Sequence, residues 1–337
     1  MLCILYFTVF GAGLGAAGLL VERALPAAWP RRWLWCGVIA VATIVPGVQR
    51  AHHVVAVGTP AGGVGATGTR GMLFLLVPMR WASTGAYDAA INRLWCVASA
   101  GLLAWALLGA AWVAYEARRG RGGRTVVDGA RVVVTDRIGP ATVGLLRPRV
   151  LLPRWVLALP AADRRYVVRH EAEHRRAHDT RVLGLASLAL LLTPWNVALW
   201  WHLRRLHLAV ETDCDRRVVR ALGDARAYGA LLLRVAEAAG RGPHLAPLTR
   251  GVQPAFLGRA GMLERRLTAL VRPPTRGDHE HVSRVVLPLV AGALLAALLA
   301  LPHPIAAGPR GHPVAHRSAS DRAAARDAVA GAVGARR

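Results

Sequence analysis

The stretch DRRYVVRHEAEHRRAHD, residues 163–179, decides how the rest of the chain is read. It follows Pro160, carries Asp163 where a helix's first turn favours an acid, and predicts a helix running through Arg181. Inside it lies His170-Glu171-Ala172-Glu173-His174. Histidines four apart stand one turn apart on one helix face, so both imidazoles can reach a single ion. Glu171, beside the first of them, is placed to take a proton from a water on that ion and to pass it to a leaving amine. The plainer alternative is a row of solvated charges on an amphipathic helix.

A catalytic zinc usually takes three protein ligands and keeps a position for water. The third is sought in Glu211-Thr212-Asp213-Cys214-Asp215, where Glu211 and Asp215 share a helix face. One of them could ligate while the other holds the remaining N–H of a histidine. Cys214 and His178 are rivals. Cys214 reads better as a small buried side chain, and His178 continues the His170–His174 face one turn too far. Asp179 reads as structural, and His202 and His207 as helix-face or interface residues. The group that would stabilise an oxyanion is not identifiable.

Working outward, strand-like stretches precede the motif: Arg131–Thr135, Ala141–Leu145 and Arg149–Leu152, separated by Gly139-Pro140 and Arg147-Pro148 turns. Apolar runs flank the whole segment. A spanning helix needs about 20 mainly apolar residues, and runs at 1–21, 32–48, 94–115 and 285–302 are expected to span. A fifth run, 182–201, contains Pro194 and Asn196 and suits a spanning or half-inserted helix equally. Trp195, Trp200 and Trp201 in it read as an interfacial belt. The first run has its arginines after it, not before it, as an uncleaved anchor would.

The 43 basic residues are all arginine and face 19 acids, a net charge of +24. Of these, 29 arginines and 14 acids lie in 117–283, which the positive-inside rule puts in the cytoplasm, with both termini outside. No aromatic-interleaved basic motif or zinc-knuckle spacing accompanies the charge, so direct nucleic-acid binding is not expected and anionic membrane lipid is. Four scattered cysteines exclude a disulfide scaffold. The fold class expected is a mainly α membrane protein with four transmembrane helices. An α+β His-Glu-x-x-His domain fills 117–284, and a short tail follows at 303–337.

The order of these parts resembles the BlaR/MecR-type membrane zinc metallopeptidases. The resemblance rests on VGLLRPRVLLPRWV (143–156), HEAEHRRAHD (170–179), Pro194-Trp195-Asn196, ETDCDRRVV (211–219) and Tyr228-Gly229-Ala230-Leu231-Leu232. It implies that His170, His174 and Glu211 bind one zinc, that Glu171 is the general base and that Asp215 supports the site. It further implies a regulatory protease of the cell membrane whose substrate is a protein, such as a small DNA-binding repressor. The penicillin-binding domain of the sensors in that group has no counterpart expected in the 35 residues after the last run. HtpX-type quality-control peptidases share a Glu-x-x-x-Asp second motif and are the nearest alternative, together with a transducer that does not hydrolyse. An extended substrate is expected to add to a strand edge around Val132–Leu152. Substrate, activating signal and oligomeric state are not legible.

Overall fold

In a computed structural model, residues 2–26, 29–58, 86–119, 124–135, 138–241, 259–271 and 280–299 are described. The chain at 59–85, between the second and third apolar runs, the stretches 242–258 and 272–279 and the tail at 303–337 lie outside them. The described chain is mainly helical with one small sheet. Three long helices come first, α1 (Leu2–Ala24), α2 (Arg31–Gly58) and α3 (Ala86–Arg119). Four strands follow: β1 (Arg124–Val127), β2 (Ala130–Thr135), β3 (Ala141–Val143) and β4 (Arg149–Pro153). The remaining helices are α4 (Arg154–Leu157), α5 (Ala161–Arg176), α6 (Asp179–Leu192), α7 (Val197–Leu222), α8 (Ala225–Arg241), α9 (Arg259–Val271) and α10 (Glu280–Leu299).

β1 and β2 form a hairpin that turns at Asp128-Gly129, both at positive φ (45° and 79°), as a tight two-residue loop requires. The strand order is β1-β2-β4-β3, with β2 and β4 parallel and β3 antiparallel on the outside. β2 is therefore paired on both sides and cannot accept another strand. The free edge beside the motif helix belongs to β3, so within the expected stretch Val132–Leu152 the strand open to docking is Ala141–Val143. Val132, Val150 and Leu152 point from one face onto Val167 and Val168 of α5 and Leu231 of α8. Val133 and Leu151 point from the other, onto Trp112, Val113 and Ala117 at the end of α3.

The motif helix stops earlier than Arg181. α5 ends at Arg176, and His178 takes a left-handed conformation (φ 56°) before Asp179 starts α6. His178 is thus an exposed turn residue and does not extend the histidine face. The fifth apolar run is also divided: α6 ends at Leu192, and α7 begins after Asn196, whose side chain caps it by accepting the Leu199 N–H.

α6 and α7 pack as a helical hairpin against α1 and α2. Phe10, Leu14, Trp35, Ile39, Leu199 and Leu206 lie in their shared core. α1 can pass this close to α7 because it presents glycine. A Cβ at Gly11 would come within 3.0 Å of Ala198 Cβ, and one at Gly15 within 2.7 Å of His202 Nε2.

Two described helices are long and apolar enough to cross a membrane, Tyr6–Ala24 in α1 and Arg93–Arg119 in α3. The α3 window is only 6% buried within the protein, so Leu94, Val97, Leu107 and Leu108 face outward. An apolar face this long is at home in lipid and not in water. The other two expected spans fall in α2 and α10, neither of which is among these two, and the apolar helix in α10 is shorter, Val285–Leu299.

Candidate metal centre

α5 places His170 and His174 with their Nε2 atoms 3.1 Å apart. Each ring's other nitrogen is already engaged. His174 Nδ1 lies 2.8 Å from Asp179 Oδ2, which the left-handed turn at His178 folds back toward the helix. His170 Nδ1 lies 2.9 Å from the Tyr228 hydroxyl, which donates its own proton to Asp215 Oδ1 at 2.7 Å. That hydroxyl must accept from His170, so Nδ1 carries the hydrogen. Both rings are thereby held with the Nε2 lone pairs converging on one point.

Across that point stands Glu211 of α7, with Oε2 3.5 Å from His170 Nε2 and Oε1 3.6 Å from His174 Nε2. A tetrahedral ion with bonds of 2.0–2.1 Å sets its ligands roughly 3.3–3.4 Å apart; the two Nε2 atoms are near that spacing, and a different Glu211 oxygen approaches each of them. Cys214 is completely buried and also lies close, its ligand atom and those of the two histidines falling within 4.8 Å of one another. Its Sγ sits 3.4 Å from His170 Nδ1 and donates to the His170 carbonyl. Glu211 and Cys214 thus both stand within reach of an ion held by the two histidines.

Asp215 Oδ1 lies 3.5 Å from His170 Nδ1 and is linked to it through the Tyr228 hydroxyl. Arg266 of α9 grips Asp215 with two bonds, Nε to Oδ2 at 2.8 Å and Nη2 to Oδ1 at 2.7 Å, and reaches Glu211 Oε2 with Nη1 at 2.9 Å. Glu171 is buried, and the Thr142 hydroxyl on β3 lies 2.9 Å from its Oε2 and 2.8 Å from its carbonyl. A cavity of about 720 Å³ opens here, with Pro140 and Ala141 on one wall and Leu231, Leu263 and Arg266 on the other. It is large enough for several residues of an extended peptide.

Burial opposes charge on every group here, and neighbours override it. For His170, burial is outweighed by Cys214 and Glu211, and the pKa rises to about 10. His174 is also raised, against burial, by Cys214, Glu211 and Asp179. Glu211 is held well below the usual carboxylate range despite burial, by Arg266 and the two histidines. Charge on the histidines and ionisation of Glu211 thus favour one another when no metal is bound.

Four participants escape the sequence reading. Asp179 was expected to be structural, Tyr228 was named only among the residues of the resemblance, Thr142 lay in an expected strand, and Arg266 was not singled out. For Asp179 the signal was present, since an acid five residues past His174 can fold back once the helix breaks. Arg266, one arginine among 43, had none. His202 and His207 stay out of the centre, His202 in the helix core and His207 bonded back to the Leu203 carbonyl at 2.8 Å.

Residues 127–270 match the family described as BlaR1 peptidase M56. The chain is also similar to the regulatory protein BlaR1 of Bacillus licheniformis, 24% identical over 160 residues that make up 47% of this chain and 26% of that protein. The match thus spans about a quarter of its relative's length. No solved structure matches significantly. Over residues 127–270 the chain is thus similar to the BlaR1-type peptidases, and His170, His174 and Cys214 stand close enough together that they could hold a metal.

Proposed function

We propose that the chain is an integral-membrane zinc metalloendopeptidase of regulatory function, cutting a cytoplasmic or membrane-proximal protein such as a transcriptional repressor. The observation that carries this is the convergence of His170 Nε2, His174 Nε2 and the Glu211 carboxylate on one point, with Glu171 beside it. His170, His174 and Glu211 would hold the ion, and Asp215, Asp179 and Tyr228 would orient the histidines. A bound zinc would supply Lewis acidity, polarising the scissile carbonyl and making the attacking water more acidic.

The remaining work belongs to the protein. Glu171 accepts the proton of the attacking water and later gives it to the departing amine, with the Thr142 hydroxyl fixing the carboxylate's rotation. The β3 edge binds the substrate backbone in extended form, holding the scissile bond beside Glu171. Leu231, Leu263 and Met262 supply apolar walls for the side chains.

The arginine excess of 117–283 supports a cytoplasmic peptidase domain with the termini outside. The α6–α7 hairpin then dips into the bilayer. Its turn residue Trp195 packs on Phe7 of α1 and Trp95 of α3, and Trp95 Nε1 donates to the Leu192 carbonyl at 2.9 Å. Leu185 and Leu188 of α6 are exposed, as lipid contact allows. From that turn to Glu211 is about 22 Å of helix, so the metal centre sits near the cytoplasmic boundary.

The test is zinc per chain in detergent-purified protein, wild type beside Glu211→Ala. About one zinc in the wild type and a marked loss in the variant is expected. Equal occupancy in both would remove Glu211 from the ligand set, and an empty wild type supplied with zinc would overturn the metallopeptidase reading.

A further inference from the structure

The buried Asp179 has two jobs. Its Oδ2 orients His174, and its Oδ1 accepts from Arg32 Nη1 at 2.8 Å. Arg32 is the second residue of α2 and belongs to the membrane helices in sequence, 147 residues away. Both side chains are largely shielded from water, at 14% and 2% exposure, so neither charge has solvent as an easy substitute. The backbone N–H of the same Arg32 donates to Asp213 Oδ2 at 3.2 Å. Asp213 stands on α7 between Glu211 and Asp215 and is paired with Arg216, which also reaches the Trp29 carbonyl.

The start of α2 is therefore latched at two points to the frame of the metal centre. Among the described residues Arg217 also reaches Asp179, at 3.3 Å on the same Oδ2 that holds His174, and it is shared with Glu173. If α2 shifts, Oδ1 of a buried carboxylate loses its arginine, and swinging Oδ1 round to Arg217 would release His174 Nδ1. The cost of an unpaired buried charge makes that swing the cheaper outcome.

We infer that Arg32 is a positioning residue of the metal centre, acting through Asp179 on His174, so that the placement of α2 sets how well the centre holds its ion. The inference rests on the metallopeptidase reading above. It gives the membrane helices a direct mechanical input to the site: displacement of α2 away from Asp179 lowers metal affinity, and seating it restores affinity. Arg31, its neighbour, makes only a 3.8 Å contact with Glu22 and is the natural control.

The experiment uses the full chain in detergent, with zinc affinity read by chelator competition and ligand geometry by the absorption spectrum of the cobalt-substituted protein. Arg32→Gln is expected to weaken zinc binding about tenfold, the lower end of what loss of an outer-shell partner costs, and to shift the cobalt bands. Arg32→Lys should recover most of the loss, and Arg31→Gln should match the wild type. The Arg32→Gln effect should disappear in an Asp179→Asn background, because the path is already cut.

A second measurement needs no variant. Coupling is reciprocal, so zinc added to the wild type should slow amide hydrogen exchange at residues 29–36. Unchanged zinc affinity and cobalt spectrum in Arg32→Gln, or unchanged exchange at 29–36 on zinc binding, would overturn the inference while leaving the metallopeptidase reading intact. A wild type that takes up no zinc would remove the reading itself.

Discussion

The two halves of α7 share one helix and almost nothing else. In the first half Leu199, Leu203 and Leu206 are buried against α1 and α2, and His202, with no exposed surface, lies by the Gly11 carbonyl without a hydrogen bond of normal geometry. In the second half Glu211, Asp213 and Asp215 are each paired with arginine, Arg266 serving the first and third and Arg216 the second. The first half is held mainly by shape, with the Arg205–Glu22 ion pair beside it, and the second mainly by charge. His202 in the first can be dispensable, whereas Glu211 and Asp215 in the second each stand beside a histidine of the metal point.

The contrast is sharpest at the motif itself. Glu171→Gln should lower peptide hydrolysis by roughly 10²–10⁴-fold while zinc content stays near that of the wild type. Retained cleavage in that variant would move the general base elsewhere. A fall in zinc content would make Glu171 part of the metal frame.

The charged half should also respond to pH in a direction that can be stated. His170 titrates near 10 and His174 above its ordinary value, against about 6.5 in the unfolded chain. Their protonated forms therefore stabilise the metal-free protein fully below about pH 6.5, and that contribution is lost as pH rises through about 10. Zinc must displace the same protons, so its affinity rises over the same window. The zinc-induced increase in Tm should accordingly be larger at pH 9 than at pH 7. An increase that does not grow with pH would show that these histidines are already neutral in the folded, metal-free state.

In the packed half, Gly15→Val would drive a side chain into His202 and Trp201, 2.7 and 2.9 Å from the new Cβ. A loss of about 1–3 kcal/mol is expected from such overpacking, visible as a lower Tm in detergent. A variant as stable as wild type would mean that α1 and α7 are not in close contact. His202→Leu should have the smallest effect, within about 1 kcal/mol of the wild type, because no hydrogen bond is lost and a buried imidazole is replaced by an apolar group. A large loss would point to a polar partner for that ring.

What could be read from the sequence follows the range of the forces involved. His170, Glu171 and His174 are fixed by helical spacing alone, and Glu211 and Asp215 by the same spacing on a second helix. The strands at Val132–Val134 and Val150–Leu152 were legible from their β-branched runs. β1 was not, because Arg124–Val127 is short and follows a glycine- and arginine-rich stretch. The continuation of α5 through Arg181 failed for a local reason: His178 adopts a backbone conformation that nothing in its neighbours announces. Arg32, Tyr228 and Arg266 come from three separate helices, and only tertiary packing brings them to Asp179, His170 and Glu211. Which strand lies at the edge is likewise a property of the sheet's order and not of any strand's composition.

That edge strand is three residues long, ended by Gly144 at a φ of 103°. So short a template grips only a few backbone groups of a guest chain and offers little grip on side-chain identity. Discrimination among proteins then shifts to how readily each releases a short segment from its own structure. Local opening free energies run from near zero at frayed ends to the full stability of a core, so susceptibility should follow them exponentially. On the proposed function, a protein with a loosely held segment would be cut at a rate set by its own local unfolding equilibrium, and the chain would act as a reader of local instability in its substrates.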